Sequence, residues 1–281
     1  MRLEIIKSTV RARRLVLDVA ERVGGSHIGG SFSIIDFLCT LYSHYLETGM
    51  VKDLELYEGK LNGLPQVIFS KGHCYLAQLA ALDSVCGQTY YTDNYLKDGT
   101  FFFGHPKQNK ESEHFVVSTG ALGQGITFAN GLSLANKRNS INRTTISIVG
   151  DGELNEGSCT EALLFAAHHK LNHTFIVDFN DQMSLGKTSE ILNLGSLKER
   201  FYSYGLEFFE IDGHDIEQLT ECVQLLLADS ETPPVARIII LKTIKGKGVS
   251  FMEKDIKWHH RRFKNDEYQR AIDELSSTYE K

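Results

Sequence analysis

Two residues with oxygen-bearing side chains, Asp151 and Asn180, each stand just past an apolar, β-branched run. Asp151 lies in Gly150-Asp151-Gly152-Glu153, after Thr145-Ile146-Ser147-Ile148-Val149. Asn180 follows Thr174-Phe175-Ile176-Val177-Asp178-Phe179. One carboxylate, one carboxamide and glycines that admit a backbone close to phosphate oxygens suit Mg2+ holding a diphosphate. The ion is hard, takes oxygen ligands, uses few protein groups and lets the phosphates complete its octahedron. Taken alone, Gly-Asp-Gly also reads as an ordinary turn.

Further segments carry histidine, lysine or clustered glycine. They are Gly25-Ser26-His27-Ile28-Gly29-Gly30-Ser31, Phe69-Ser70-Lys71-Gly72-His73, Phe103-Gly104-His105-Pro106 and Ser118-Thr119-Gly120-Ala121-Leu122-Gly123-Gln124-Gly125. Another, Thr243-Ile244-Lys245-Gly246-Lys247-Gly248-Val249-Ser250-Phe251, precedes Trp258-His259-His260. Each borders a predicted helix, where backbone N–H groups are free to meet an anion. Singly, a histidine beside glycine is a loop residue, and Lys-Gly-Lys-Gly is a solvated turn. His169 and His173 have i, i+4 spacing but lack the intervening glutamate of a zinc-protease helix, so no zinc is expected there.

The elements that must position these residues follow from periodicity. Apolar residues at helical spacing predict helices over 3–23, 33–46, 75–85, 122–137, 158–170, 216–227 and 266–279. Gly24-Gly25 ends the first. Glycines at 123, 125 and 131 in the fourth predict close packing. Short apolar runs predict strands over 67–69, 145–149, 174–179, 206–211 and 235–243, and residues 86–115 read as an aromatic-rich loop. Strands alternating with helices imply an α/β fold, a mostly parallel sheet with helices on both faces, and we read 1–281 as one domain. Asp151 and Asn180 then fall at the carboxyl ends of two strands, where open α/β sheets bind ligands.

Together and in this order the segments resemble the transketolase family, over nearly the whole chain. The residues that carry the resemblance are Ser70–His73, Gly104–Pro106, Ser118–Gly125, Gly150–Gly157, Glu161–Ala166, Asp212–Ile216 and Thr243–Glu253. The resemblance implies the pyrophosphate domain of the thiamine-diphosphate-binding fold, with Mg2+, or Ca2+ or Mn2+ in its place. It implies Asp151, Asn180 and the carbonyl of Gln182 as metal ligands. It implies His73, Gly150, Gly152, Glu153, Asn180 and His259 around the diphosphate, and Gly120 and Leu122 at the aminopyrimidine. His27, His105, His259 and Glu156 take catalytic roles, the first two histidines lining the substrate channel. Glu156 and Glu161 match acidic residues that face the dimer axis. The implied reaction is transfer of a two-carbon ketol unit between sugars or sugar phosphates, the cofactor supplying the nucleophilic carbon.

The chain departs from the family pattern at Lys107, Met183, Leu185 and His260, all near the substrate mouth or rim. It also lacks a pyrimidine-binding domain, whose glutamate promotes carbanion formation. The resemblance therefore implies a separate subunit of roughly similar size carrying that domain, in an α2β2 heterotetramer. Two alternatives remain at the level of sequence. One is a subunit of another thiamine-diphosphate enzyme acting on a 2-oxo acid, of E1α or deoxyxylulose-phosphate-synthase type. The other is a non-catalytic binding protein that kept the fold.

Bulk properties exclude other classes. A net charge of −6 and pI near 6.0 give no electrostatic case for nucleic acid. No apolar stretch approaches the roughly 20 residues of a membrane span. The start, Met1-Arg2-Leu3-Glu4, is unlike a signal peptide, and five scattered cysteines without a Cys-x-x-Cys pair suggest a reduced, cytoplasmic protein.

Overall fold

The computed structural model describes residues 1–47, 65–108, 117–228 and 235–279. The chain runs α1 (Arg2–Val23), α2 (Ile28–Glu47), β1 (Gln66–Phe69), α3 (Tyr75–Val85), α4 (Tyr90–Asp93), α5 (Gln124–Arg138), β2 (Thr145–Gly150), α6 (Gly157–His168), β3 (His173–Phe179), α7 (Thr188–Ile191), α8 (Leu197–Ser203), β4 (Glu207–Asp212), α9 (Ile216–Ala228), β5 (Arg237–Lys242) and α10 (Glu267–Tyr279). The five strands are parallel, in the order β1-β2-β3-β5-β4. Their register aligns Phe69, Ile148, Ile176 and Ile239 across the sheet.

Side chains alternate between two cores, as strand pleating requires. Ile146, Ile148, Ile176, Ile239 and Leu241 face α1, α2, α3, α9 and α10. Val149, Phe175, Val177, Ile238 and Ile240 face α5, α6 and α8. The chain steps from β3 past β5 to edge strand β4, with α8 on the second face, then returns to β5 with α9 on the first. Parallel connections of constant hand demand this switch of face when the direction reverses.

The predicted elements are present, with shifted ends. The second helix starts at Ile28 rather than Ser33, so Gly29 and Gly30 lie in its first turn. Helical glycine costs about 1 kcal/mol against alanine, but tertiary packing overrides that. A Cβ on Gly29 would stand 2.9 Å from Trp258 O, and one on Gly30 2.6 Å from Cys74 Sγ. In α5 the close-packing expectation holds at Gly123 and Gly125, whose added Cβ would meet Ser158 Oγ at 2.2 Å and Ser70 Cα at 2.5 Å. It fails at Gly131, which has nothing within 4 Å. The expected loop over 86–115 contains the short helix α4, and its residues 109–115 lie outside the described residues. Among the described residues no helix is long and apolar enough to cross a membrane, and all five cysteines are unbridged.

Candidate cofactor site

At the carboxyl end of the sheet a cavity of about 390 Å³ opens between the ends of β1, β2 and β3 and the start of α2. Its wall contains His27, His73, Gly120, Leu122, Gly150, Asp151, Gly152, Glu153, Glu156, Asn180, Gln182 and His259. Every residue singled out for site chemistry lines it except His105 and Glu161. His105 stands at the rim, its ring 6.2 Å from that of His27, and Glu161 is exposed on α6.

The carboxylate and carboxamide reach the cavity because β2 and β3 are adjacent and end level, Gly150 pairing with Asp178. Asp151 Oδ1 accepts from Gly152 N at 2.8 Å and Oδ2 from Thr188 Oγ1 at 3.0 Å. Burial and the nearby Asp178 carboxylate push its pKa up to about 6, the behaviour of an anion short of a cation. Asn180 Oδ1 accepts from Gln182 N at 3.1 Å. Gln182 Oε1 is buried with no hydrogen-bond partner. Carboxylate, amide and carbonyl oxygens without nitrogen or sulfur suit Mg2+, Ca2+ or Mn2+.

Glu153, also in the wall, is engaged by three donors of the chain. Its Oε1 accepts from Ser70 Oγ and, at 2.7 Å, from Gly123 N, while Oε2 accepts from Gly150 N at 3.1 Å. This buried carboxylate ties together three glycine-bearing loops, and burial pushes its pKa up.

The imidazoles form one cluster. His27 lies 5.1 Å from His73, 5.2 Å from His259 and 4.5 Å from His260, centroid to centroid. Burial, then neighbouring histidines and lysines, push His27 down to about 3 and His73 to about 2. Burial and Lys245 push His259 down to about 4. The three rings are neutral at pH 7, able to accept a proton or hydrogen bond. An arriving anion favours their protonated forms.

Sequence reasoning missed the two lysines of the wall, Lys71 and Lys245, each 2% exposed. Lys71 pairs with Asp178, and its Nζ donates to Gly30 O at 3.1 Å. Burial alone would lower it, but Asp178 holds the ammonium charged. Lys245 belongs to the Lys-Gly-Lys-Gly run that alone reads as a solvated turn. Its Nζ instead donates to Gln182 O at 3.3 Å and Met183 O at 3.2 Å, and lies 3.3 Å from His259 Nδ1. Among the described residues no carboxylate stands within 4 Å of it, and burial lowers its pKa. Gly246 turns the chain there at φ +82°, and a Cβ would stand 2.3 Å from Met252 O. A buried ammonium served by carbonyls is a ready anion partner.

The i, i+4 pair His169 and His173 does not converge on a shared position with other ligands among the described residues. His173 is fully buried in β3, bonded to Ser147 Oγ at 2.6 Å and Asn130 Oδ1 at 2.8 Å. Among the described residues no three His, Cys, Asp or Glu side chains converge on a metal position.

A cavity with a hard oxygen set, glycine turns and buried ammonium groups fits a metal diphosphate, and comparison with known proteins decides the family. The sequence matches the transketolase, thiamine diphosphate binding domain, family over residues 5–279. The chain belongs to this family. It is 30% identical over 271 residues to an apulose-4-phosphate transketolase subunit of Phocaeicola vulgatus, spanning 96% of this chain and 92% of that one. It is 30% identical over 268 residues to a 6-deoxy-6-sulfo-D-fructose transketolase subunit of a Clostridium species, spanning 94% and 93%. Among solved structures, the transketolase of Campylobacter jejuni has the same fold, with a TM-score of 0.81 and 24% identity. That match covers 98% of this chain but 43% of the solved one. This transketolase-type chain thus spans nearly all of its subunit relatives and under half of the longer enzyme.

Proposed function

We propose that this chain is the pyrophosphate-binding subunit of a two-chain transketolase that moves a two-carbon ketol unit from a ketose to an aldose. The observation that carries this reading is the pairing, in one cavity, of the Asp151–Asn180 oxygen set with the buried ammonium of Lys245. Metal and diphosphate need these opposite charges side by side. Asp151, Asn180 and Gln182 O hold the divalent cation in this reading. Gln182 O accepts from Lys245 but keeps a second lone pair for the metal.

Gly150, Gly152, His73, His259 and Lys245 surround the diphosphate, and Gly120 and Leu122 offer backbone to the aminopyrimidine. Glu153 serves by fixing the glycine loops. Bound thiamine diphosphate supplies the nucleophilic carbon that no side chain offers. The chain's own residues hold the charge, exclude water from half of the site and manage protons. His27 and His105, at the open side, receive and return the protons of sugar hydroxyls. The subunit relatives are named for a phosphorylated and a sulfonated ketose, which supports a sugar or sugar phosphate as substrate.

In the cavity wall Leu122 is 39% exposed, and Leu185, next in sequence to the wall residue Ser184, is 86% exposed. Adjacent helices α5 and α6 also expose Phe128, Leu164 and Phe165. Exposed large apolar groups on these helices support a partner surface. In this reading the partner carries the pyrimidine-binding domain, and α2β2 pairing closes two sites. The naming of the relatives as subunits is in line with that.

The test is a coupled assay on the complex isolated from its own cells, with thiamine diphosphate, Mg2+ and a ketose donor. Ketol transfer to an aldose that stops on removal of Mg2+ by chelation is expected. Consumption of pyruvate with release of CO2 in its place would contradict the reading.

A further inference from the structure

The loop that carries Lys245 is held from behind by a row of buried and half-buried groups that do not line the cavity. Arg13, on α1, donates from both terminal nitrogens to the two oxygens of Asp36 on α2, at 2.8 Å each. Asp36 Oδ2 lies 2.6 Å from His214 Nδ1 in the turn between β4 and α9. Ile244 N donates to His214 Nε2 at 2.8 Å. Arg13 is 1% and Asp36 6% exposed. Burial alone would raise the Asp36 pKa, but Arg13 and His214 outweigh it and hold the carboxylate charged.

The geometry fixes the imidazole tautomer. Nε2 accepts from a backbone N–H and so carries no proton, and the proton of the neutral ring sits on Nδ1, donated to Asp36. Arg13 and Asp36 thus set which way His214 faces and which nitrogen accepts. The backbone it holds is the residue before Lys245. On one side of Ile244 the Thr243 hydroxyl bonds Asp178. On the other, the left-handed turn at Gly246 donates its N–H to Gly29 O at 3.0 Å. Between these anchors the direction of the chain at Ile244 decides where the Lys245 ammonium lands.

We propose that His214 is a positioning residue that acts through the Ile244 N–H to aim the Lys245 ammonium at the cofactor diphosphate. Asp36 and Arg13 lock its tautomer. The inference rests on the cofactor reading of the cavity given above. It gives the Asp212–Ile216 segment a task although its imidazole lies behind the loop rather than in the wall.

The test is a double-mutant cycle on the whole complex, read by calorimetric titration with thiamine diphosphate and Mg2+. Asparagine at 214 reaches only where Nδ1 stands, whereas the amide oxygen of glutamine reaches the place of Nε2. His214→Asn is expected to weaken binding about tenfold, the effect of one lost hydrogen bond behind a charged contact. His214→Gln is expected to stay within about threefold of the parent, an energy below that of one such bond. In a Lys245→Met background, His214→Asn is expected to cost nothing more. Equal losses in both backgrounds would mean general loosening of the fold and overturn the proposal. If the His214→Asn chain does not fold, the glutamine variant decides: retained affinity supports the proposal, and a loss of about tenfold in a folded complex overturns it. Failure of the parent complex to bind thiamine diphosphate would overturn the cofactor reading itself, and this inference with it.

Discussion

Lys245 carries its amino group into the cavity wall where water barely reaches, 2% exposed, and that makes it the sharpest probe of the site. Replacing it with methionine keeps the apolar stem and removes the ammonium. Thiamine diphosphate should then bind at least about tenfold more weakly in titration, since charge-assisted bonds exceed about 1.4 kcal/mol. Asp151→Ala should abolish Mg2+-dependent binding, and unchanged binding would remove Asp151 from the metal set. His27→Ala should leave cofactor affinity nearly intact while turnover falls by about a hundredfold, the usual size of a lost proton-transfer group. A variant that mainly lost cofactor affinity would make His27 an anchor instead. At this scale much was legible. Asp151, Asn180 and the glycines at 120, 150 and 152 announce themselves by type and spacing, and all line the cavity. Lys245 did not, because its burial comes from packing against Gly29, Gln182 and Met183, far away in sequence. The same holds for Thr188, which bonds Asp151 from α7.

At the scale of elements, strand β3 illustrates a buried polar junction with a pH signature. His173 joins β3 to Ser147 of β2 and Asn130 of α5. Burial pushes its pKa down to about 3, from an ordinary 6.5. Below pH 6.5 the unfolded chain binds a proton that the folded chain refuses. Stability from this group is therefore complete above 6.5 and is lost as pH falls towards 3. The thermal midpoint should drop across that window, and His173→Gln should flatten the slope. An unchanged slope would mean that other groups, such as His27 and His73, carry the acid sensitivity. The elements were readable because apolar periodicity survives in nearly every helix and strand. Their ends were less so. The first turn of α2 contains two glycines that only the approach of Trp258 and Cys74 explains. The order β1-β2-β3-β5-β4 is a matter of long-range pairing, which no local pattern encodes.

At the scale of the whole molecule, α5 and α6, which follow the wall residues Leu122 and Glu156 in the chain, expose large apolar side chains. Polar replacement of Phe128 and Leu164, both 45% exposed, should weaken assembly with the partner while leaving the thermal midpoint of this chain within a few degrees. A drop in the midpoint with assembly unchanged would instead assign both residues to the fold. The family was legible at this scale, because motifs of the pyrophosphate side of the cofactor site run through the sequence in order and the family match spans residues 5–279. The identity of the sugar was not legible, because Lys107, Met183, Leu185 and His260 differ from the family pattern where the sequence reading puts the substrate mouth or rim. The central claim is that this chain works as half of a two-chain enzyme. Its most direct test is the mass and composition of the complex recovered from its own cells with thiamine diphosphate and Mg2+ present. The account predicts a second chain of similar size in equal amount, two copies of each. Recovery of this chain alone, stable and carrying the cofactor, would contradict it.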